Sequence, residues 1–313
     1  MYLPARRYQF RLIPLEETRL PEYKGSTFRG GFGHAFKKVV CTFKGKECDD
    51  CLLRQRCVYS YVFETPPPET TERMTKYRRA PHPFVIKPPL NKKTHYAPGE
   101  AIDFGLVLIG RADDYLPYFI YAFDELGKLG IGKGKAKYRL DRVEREGEIL
   151  YEGKTGVLKP VVHDRDPASE TAINTGTDDG HVQKIALRFL TPLRIVSNGE
   201  LNSAPDFQSI FRTMLRRISL LSYFHCGIDM DVDFTGLIER AGQVVTESKS
   251  LRWHDWERWS ARQDTKMKMG GVVGRISFSG DLGEFLPYLR QGELLHVGKG
   301  TAFGLGWYEM VTG

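Results

Sequence analysis

Four cysteines fall within one short stretch: Cys41, Cys48, Cys51 and Cys57, spaced C-x6-C-x2-C-x5-C. Thiols this close suit a tetrahedral metal ion, because a C-x2-C turn presents two sulfurs to one ion. Lys44, Lys46, Arg54 and Arg56 nearby favour the thiolate forms. The expectation is a closed structural site holding zinc. An iron–sulfur cluster is the alternative, since four-cysteine sets hold those too. The plainer reading is free thiols or a redox pair.

Just upstream stands an imidazole with a lysine four residues on, His34 and Lys38. In a helix this spacing makes the two side chains neighbours. A histidine moves protons near neutral pH, and a lysine supplies fixed positive charge. Gly30, Gly31 and Gly33 lower helix stability, which is explained if something must lie close to that face. The competing reading of His34 is a solvated surface histidine.

Two glycine-rich loops offer different chemistry. One contains Gly298, Lys299, Gly300, Gly304 and Gly306, preceded by His296. Glycine tolerates positive φ and lets a ligand approach the main chain, so such a loop is expected to turn N–H groups toward phosphate oxygens. The other runs through Gly130, Gly132 and Gly134 into Lys133, Lys135, Lys137 and Arg139. These bases alternate, which predicts one basic face of a strand and a track for phosphates. A charged edge strand that resists aggregation is the competing reading. Farther on, Arg252, Arg258 and Arg262 interleave with Trp253, Trp256 and Trp259. That mixture suits stacking on bases and pairing with phosphates, and equally a domain interface.

The elements that must carry these residues follow from periodicity. Tyr8, Phe10 and Leu12 alternate with polar neighbours and predict an opening strand. Phe28, Phe32, Ala35, Phe36 and Val39 form one stripe of a helix over about 26–40, with His34 and Lys38 on its other face. A strand over 101–109 and a helix over 116–126 lead to the first glycine loop. After a polar stretch, a strand over 185–190 breaks at Pro192, and a helix runs from about 205 to 226 with His225 on its apolar side. Strands over 244–253 and 272–278 come next, then a short helix over 282–289, the second glycine loop and a closing strand. Each half therefore runs β-α-β-β-α-β, the ferredoxin-like plan. The expected division is 1–145 for a first ferredoxin-like domain with the four-cysteine insertion, 146–183 for a linker with a peripheral hairpin, and 184–313 for the second domain.

A chain of 313 residues accommodates two such domains, and its formal net charge of +7 favours a polyanionic partner. No apolar run reaches membrane-spanning length and the first ten residues do not form a signal peptide, so a cytoplasmic protein without a membrane partner is expected. Five cysteines in a reducing compartment argue against a disulfide framework.

The tail His296-Val-Gly-Lys-Gly-Thr-Ala-Phe-Gly-Leu-Gly-Trp-Tyr308 resembles the C-terminal glycine-rich motif of the CRISPR-associated RAMP (repeat-associated mysterious protein) superfamily. More narrowly, it resembles the endoribonuclease that cuts CRISPR precursor transcripts into guide RNAs. Phe28-Arg-Gly-Gly-Phe-Gly-His34, the cysteine cluster, Leu129 to Lys137 and Trp253 to Gln263 extend the resemblance over both halves. It implies two ferredoxin-like domains, bound repeat RNA, further CRISPR-associated effector subunits as partners, and cleavage that needs no metal or other cofactor. The RNA's own 2′-hydroxyl attacks the adjacent phosphate, leaving a 2′,3′-cyclic phosphate and a 5′-hydroxyl. In the family a histidine in or after the first helix does the proton work, with a tyrosine or lysine helping. By region this implies His34 as acid or base, Lys38 or Lys37 as the cation, and Tyr23 as a third participant, with His296 the second-choice histidine. The RNA contacts implied are Lys37, the bases and glycines of the two loops, and the three arginines. The competing function is a non-catalytic RNA-binding subunit of an effector complex. A cysteine-cluster redox protein ranks lower, because no flavin or nicotinamide signature accompanies the thiols.

Overall fold

Alternation sets the first element, β1 (Ala5–Pro14), in which Tyr8, Phe10 and Leu12 are buried and Arg7 and Gln9 exposed. A computed structural model describes residues 3–43, 45–69, 71–72, 75, 78–160, 182–197, 199–260 and 265–312, with the backbone alone at 258–260 and 266. The chain forms two units. One comprises Pro4–Pro167 with Leu221–Ile228, the other Met1–Leu3, Ala168–Leu220 and Asp229–Gly313.

In the first unit β1 is followed by β2 (Thr18–Arg19), α1 (Gly25–Val40), β3 (Phe84–Lys87), β4 (His95–Tyr96), β5 (Ile102–Ile109), α2 (Leu116–Leu129), β6 (Tyr138–Arg145), β7 (Glu148–Glu152) and β8 (Val157–Leu158). The main sheet has the order β3-β5-β1-β6-β7-β8, antiparallel throughout. Its first four strands give the ferredoxin-like arrangement, with the first and third of the β-α-β-β-α-β unit central. The hairpin of β7 and β8 extends the sheet beyond β6. Residues 161–181 of the expected linker lie outside the described residues.

The apolar stripe of α1 packs as its spacing requires: Phe28, Phe32, Ala35 and Phe36 are fully buried. Phe32 stacks on Phe123 and Phe119 of α2 at 4.7 and 5.0 Å, and Phe28 stacks on Phe104 of β5 at 4.8 Å. Each such side chain contributes roughly 1.5–3 kcal/mol by leaving water, so this aromatic layer fixes where the outer face of α1 points. His225, whose apolar position in the sequence marks it as a core residue, is buried in this unit. Its Nε2 lies 2.8 Å from the Pro81 carbonyl and its Nδ1 3.1 Å from the Tyr61 hydroxyl.

The second unit contains β9 (Lys184–Leu193), β10 (Val196–Ser197), β11 (Glu200–Leu201), α3 (Phe207–Leu221), α4 (Phe234–Ala241), β12 (Val245–His254), β13 (Glu257–Ser260), β14 (Thr265–Lys268), β15 (Gly271–Ser279), α5 (Leu286–Leu295) and β16 (Tyr308–Thr312). Its sheet, β12-β15-β9-β16, repeats the first unit's strand order and is again antiparallel. The two units are tandem ferredoxin-like folds.

Two local expectations need correction, and one element was not expected. β9 does not break at Pro192; the proline falls where the β15 ladder shifts register between Val272 and Gly274, so its missing N–H interrupts no ladder bond. The last helix begins later than expected, at Leu286, after a short 3-10 turn at Gly283–Phe285. α4 escapes the sequence pattern because it is short; Asp233 caps it by accepting the Gly236 N–H at 2.9 Å. Among the described residues no helix is long and apolar enough to cross a membrane.

Candidate active site and nucleic-acid surfaces

Helix α1 carries Arg29, Lys37 and Lys38 and has no acidic residue along its length. Its three glycines have different reasons. A Cβ on Gly31 would lie 2.9 Å from Leu126 Cδ1, and one on Gly33 would lie 3.1 Å from Phe63 Cε1, so both admit close packing. A Cβ on Gly30 would meet nothing within 4 Å. Gly30, His34 and Lys38 succeed one another at i, i+4 and i+8, and all three are exposed. Lys37 is half-buried, with its ammonium 5.6 Å from the centre of the Tyr59 ring. The helix thus presents an imidazole between a bare backbone patch and an ammonium, on a face without carboxylates.

Tyr23 does not join this group. It precedes the helix, eleven residues and three turns from His34, about 16 Å along the axis at 1.5 Å per residue. Burial also pushes its phenol well above the usual tyrosine range, so it stays protonated. One cation nearby escaped the sequence reading. Lys24 at the helix entrance is fully buried, and its ammonium donates to the carbonyls of Glu22 and Asn91 at 3.2 and 2.8 Å. Desolvation lowers its pKa. A lone lysine before a helix has no pattern that announces burial.

The four-cysteine metal site is not formed. Among the described residues no three of His, Cys, Asp and Glu come together as a metal-binding group. The Cys41 thiol turns toward the Phe43 carbonyl at 3.5 Å, and the C-x2-C pair lies on a 3-10 turn closed by the Cys51 N–H and the Cys48 carbonyl. Burial raises the Cys48 pKa against the opposing charge of Lys37, the reverse of the lowering expected from the nearby bases. The expected zinc or iron–sulfur cluster thus finds no support among the described residues.

The two glycine loops are built to one plan, and the plan differs from the one expected. In the first, Gly130 ends α2 with φ +88, and Gly132 and Gly134 also have positive φ. Ile131 and Ala136 exchange backbone bonds, and the Lys133 N–H donates to the Arg19 carbonyl at 3.2 Å. Lys133, Lys135 and Lys137 therefore lie on a tight turn and not on a strand face, since β6 starts only at Tyr138. All three remain exposed, as does Arg139, which pairs with Asp141 at 2.7 Å.

In the second loop, His296 ends α5, and Gly298, Gly300, Gly304 and Gly306 have positive φ. The Lys299 N–H donates to the Arg194 carbonyl at 2.8 Å, repeating the Lys133 bond to Arg19. A Cβ would fall 2.2 Å from the Arg19 carbonyl oxygen at Gly132 and 2.6 Å from that of Arg194 at Gly298. These glycines serve backbone approaches within the protein. The N–H groups of Val297, Lys299, Phe303, Gly304, Leu305 and Gly306 all bind carbonyls of the chain itself. This corrects the expectation of a loop whose amides stand open to phosphates. Those bonds do not use the N–H groups of Gly298 and Gly300, and the Lys299 side chain is exposed. The His296 ring is fully buried and stacks on Trp307, so it does not present itself to a phosphate. Thr191 was missed: its hydroxyl donates to the Gly304 carbonyl at 2.7 Å and accepts from the Trp307 N–H at 2.9 Å. It lies more than a hundred residues from the loop, where no local signal marks it.

Arg252 and Trp253 are adjacent on β12, so they project to opposite faces, and both are exposed. Arg258 lies on β13, paired with β14 through Met267, and Arg262 lies outside the described residues. Of the interleaved set, the described Arg252 and Trp253 therefore share no face of β12.

Comparison with known proteins adds to this geometry. Residues 3–163 match the family model of an AF_1859-type N-terminal domain, and residues 187–308 match that of the CRISPR-associated endoribonuclease Cas6. An uncharacterized protein of Archaeoglobus fulgidus is 25% identical over 300 residues, with 93% of this chain and 92% of that protein aligned. A solved product complex of Cas6 has a TM-score of 0.59 at 16% identity, covering 98% of this chain and 100% of that one. Cas6 of Thermus thermophilus gives 0.52 at 14% identity, covering 99% and 100%. A chain of a partial Cas6-RT-Cas1–Cas2 complex gives 0.60 at 12% identity; it covers all of this chain, which spans 46% of that one. At such identities the structural likeness shows the fold.

Proposed function

We propose that the chain, which matches an AF_1859-type N-terminal domain over residues 3–163 and the Cas6 endoribonuclease over residues 187–308, is a CRISPR-associated RAMP-type endoribonuclease that cuts CRISPR repeat RNA in precursor transcripts, and that the outer face of α1 carries the chemistry. The observation that supports this placement is the exposed His34, set one turn from the bare backbone at Gly30 and one turn from Lys38 on a helix without acids.

The reaction needs no external nucleophile. The 2′-oxygen bonds to the neighbouring phosphorus, the bond from phosphorus to the 5′-oxygen breaks, and a proton passes from the first oxygen to the second. His34 takes or gives that proton at the scissile phosphate, and Lys38 stabilises the charge that builds on the phosphoryl oxygens. The products are a 2′,3′-cyclic phosphate and a 5′-hydroxyl, without a metal. The exposed Lys133, Lys135, Lys137 and Lys299 hold the RNA backbone, and Arg252 adds a further phosphate contact. Repeat RNA and other CRISPR-associated proteins are the partners of this reading. The match to the Cas6 endoribonuclease favours a cutting enzyme over a passive RNA-binding subunit. Incubating the chelator-treated protein with a labelled repeat tests it. The expected result is one cut whose downstream fragment accepts a 5′-phosphate from a kinase directly. A repeat that stays intact, or is cut only when metal is restored, overturns the proposal.

A further inference from the structure

The two loops allow an internal comparison. Gly130 and His296 occupy the same place, each ending the second helix of its unit and donating its N–H to the carbonyl four residues back, at 2.8 Å in both. Their backbones agree: φ +88 and ψ 152 for Gly130, φ +59 and ψ 165 for His296. Glycine adopts this conformation freely, whereas a side chain is strained in it. The second unit nonetheless places a histidine there, buries it completely, and stacks its ring on Trp307 at 5.7 Å and 12°.

The loops differ in length. The first is closed between Ile131 and Ala136 and encloses 132–135; the second is closed by the Val297 N–H on the Gly306 carbonyl and encloses 298–305. A longer loop loses more freedom when its ends are fixed. His296 stands at the entry of the longer loop and Trp307 at its exit. Trp307 is itself fixed to β9, its N–H on the Thr191 hydroxyl and its carbonyl accepting from the Leu190 N–H at 2.8 Å. The stacked rings therefore join the two ends of the loop that the shorter hairpin joins by backbone alone.

We propose that His296 is a positioning residue: its ring, clasped to Trp307, holds the glycine-rich loop in the shape that receives repeat RNA. This rests on the reading of the loop as an RNA contact. The strained backbone is kept because glycine, the relaxed choice, has no ring to clasp.

Four variants test it: His296→Gly, His296→Phe, Trp307→Leu and Lys299→Ala, each measured for melting temperature, repeat-RNA affinity at one salt concentration, and cleavage rate at saturating RNA. His296→Gly relieves the backbone strain but empties the buried place of the ring; it is expected to bind RNA about tenfold more weakly and to cut at the parent rate once saturated. His296→Phe keeps a stacking ring and restores affinity. Trp307→Leu removes the partner ring and weakens binding as His296→Gly does. Parent affinity in His296→Gly or in Trp307→Leu overturns the clasp, and so does a Phe variant as weak as the Gly variant. Trp307→Leu decides the matter should His296→Gly not fold. Lys299→Ala separates the two ideas: weakened binding there with normal binding in His296→Gly removes the clasp alone. Unchanged affinity in Lys299→Ala removes the loop from the RNA path and the clasp with it.

Discussion

Gly30→Ala separates a glycine kept for folding from one kept for a ligand. The added methyl enters open space, with nothing within 4 Å of its position. In the interior of α1, alanine is about 1 kcal/mol more favourable than glycine. For a unit of this size that raises the melting temperature by about 2–4 °C. The same methyl covers the bare backbone one turn from His34. Where RNA lies against that backbone, the scissile phosphate is displaced, and a shift of about 1 Å costs on the order of a hundredfold in rate. The expected variant is thus more stable and a poorer enzyme. Gly31→Ala is the control, since its Cβ would press on Leu126 Cδ1 at 2.9 Å. The Leu126 side chain must shift to admit it, which offsets the helical gain, so this variant gains less stability than Gly30→Ala. Thermal unfolding and single-turnover cleavage of a labelled repeat read both effects. A Gly30→Ala protein that gains stability and cuts at the parent rate refutes the placement of RNA on this face.

Neutralising Lys133 and Lys135 together is expected to weaken RNA binding and to flatten its dependence on salt, by about 0.7 in log–log slope for each phosphate left without its lysine; an unchanged slope removes this turn from the RNA path. Gly306→Ala sets a Cβ 1.8 Å from the Val297 carbonyl oxygen at φ +70, and its cost of more than about 2 kcal/mol appears as an earlier midpoint in denaturant unfolding. Prolonged chelation is expected to leave the melting temperature unchanged, because the described cysteines form no metal-binding group; a loss of several degrees restores the four-cysteine site. Burial holds Cys48 as a thiol above the usual pKa, so its alkylation at pH 8 lags that of a free cysteine and catches up only as pH rises further, as mass spectrometry of labelled peptides can show.

Periodicity carried most of the fold. The alternation in β1 and the phenylalanine stripe of α1 are patterns of burial, and burial made them readable. The repeat of strand, helix and glycine loop was also visible, because both halves obey the same topology. The loops themselves were misread for a physical reason. Gly306 stands against the Val297 carbonyl and Gly132 against that of Arg19, and a glycine kept for such an approach looks in sequence like one kept for a phosphate. The alternating Lys133, Lys135 and Lys137 had the period of a strand, but positive φ at Gly130, Gly132 and Gly134 turns the chain back first. Cysteine spacing fixes proximity along the chain and leaves the direction of each thiol open. Tyr23 was assigned by region alone, and nearness in sequence to the start of α1 does not bring a side chain to His34 farther along the helix. His34 and Lys38 were legible because i, i+4 spacing is a local property of the helix.

The most direct test is His34→Ala in a single-turnover assay on a labelled repeat, with chelator present and RNA affinity measured alongside. Removing a general acid or base costs about 10²–10⁴ in rate. The expected variant binds the repeat within a few-fold of the parent and cuts it slower by at least about a hundredfold. A variant that binds and cuts like the parent contradicts the assignment of the chemistry to α1.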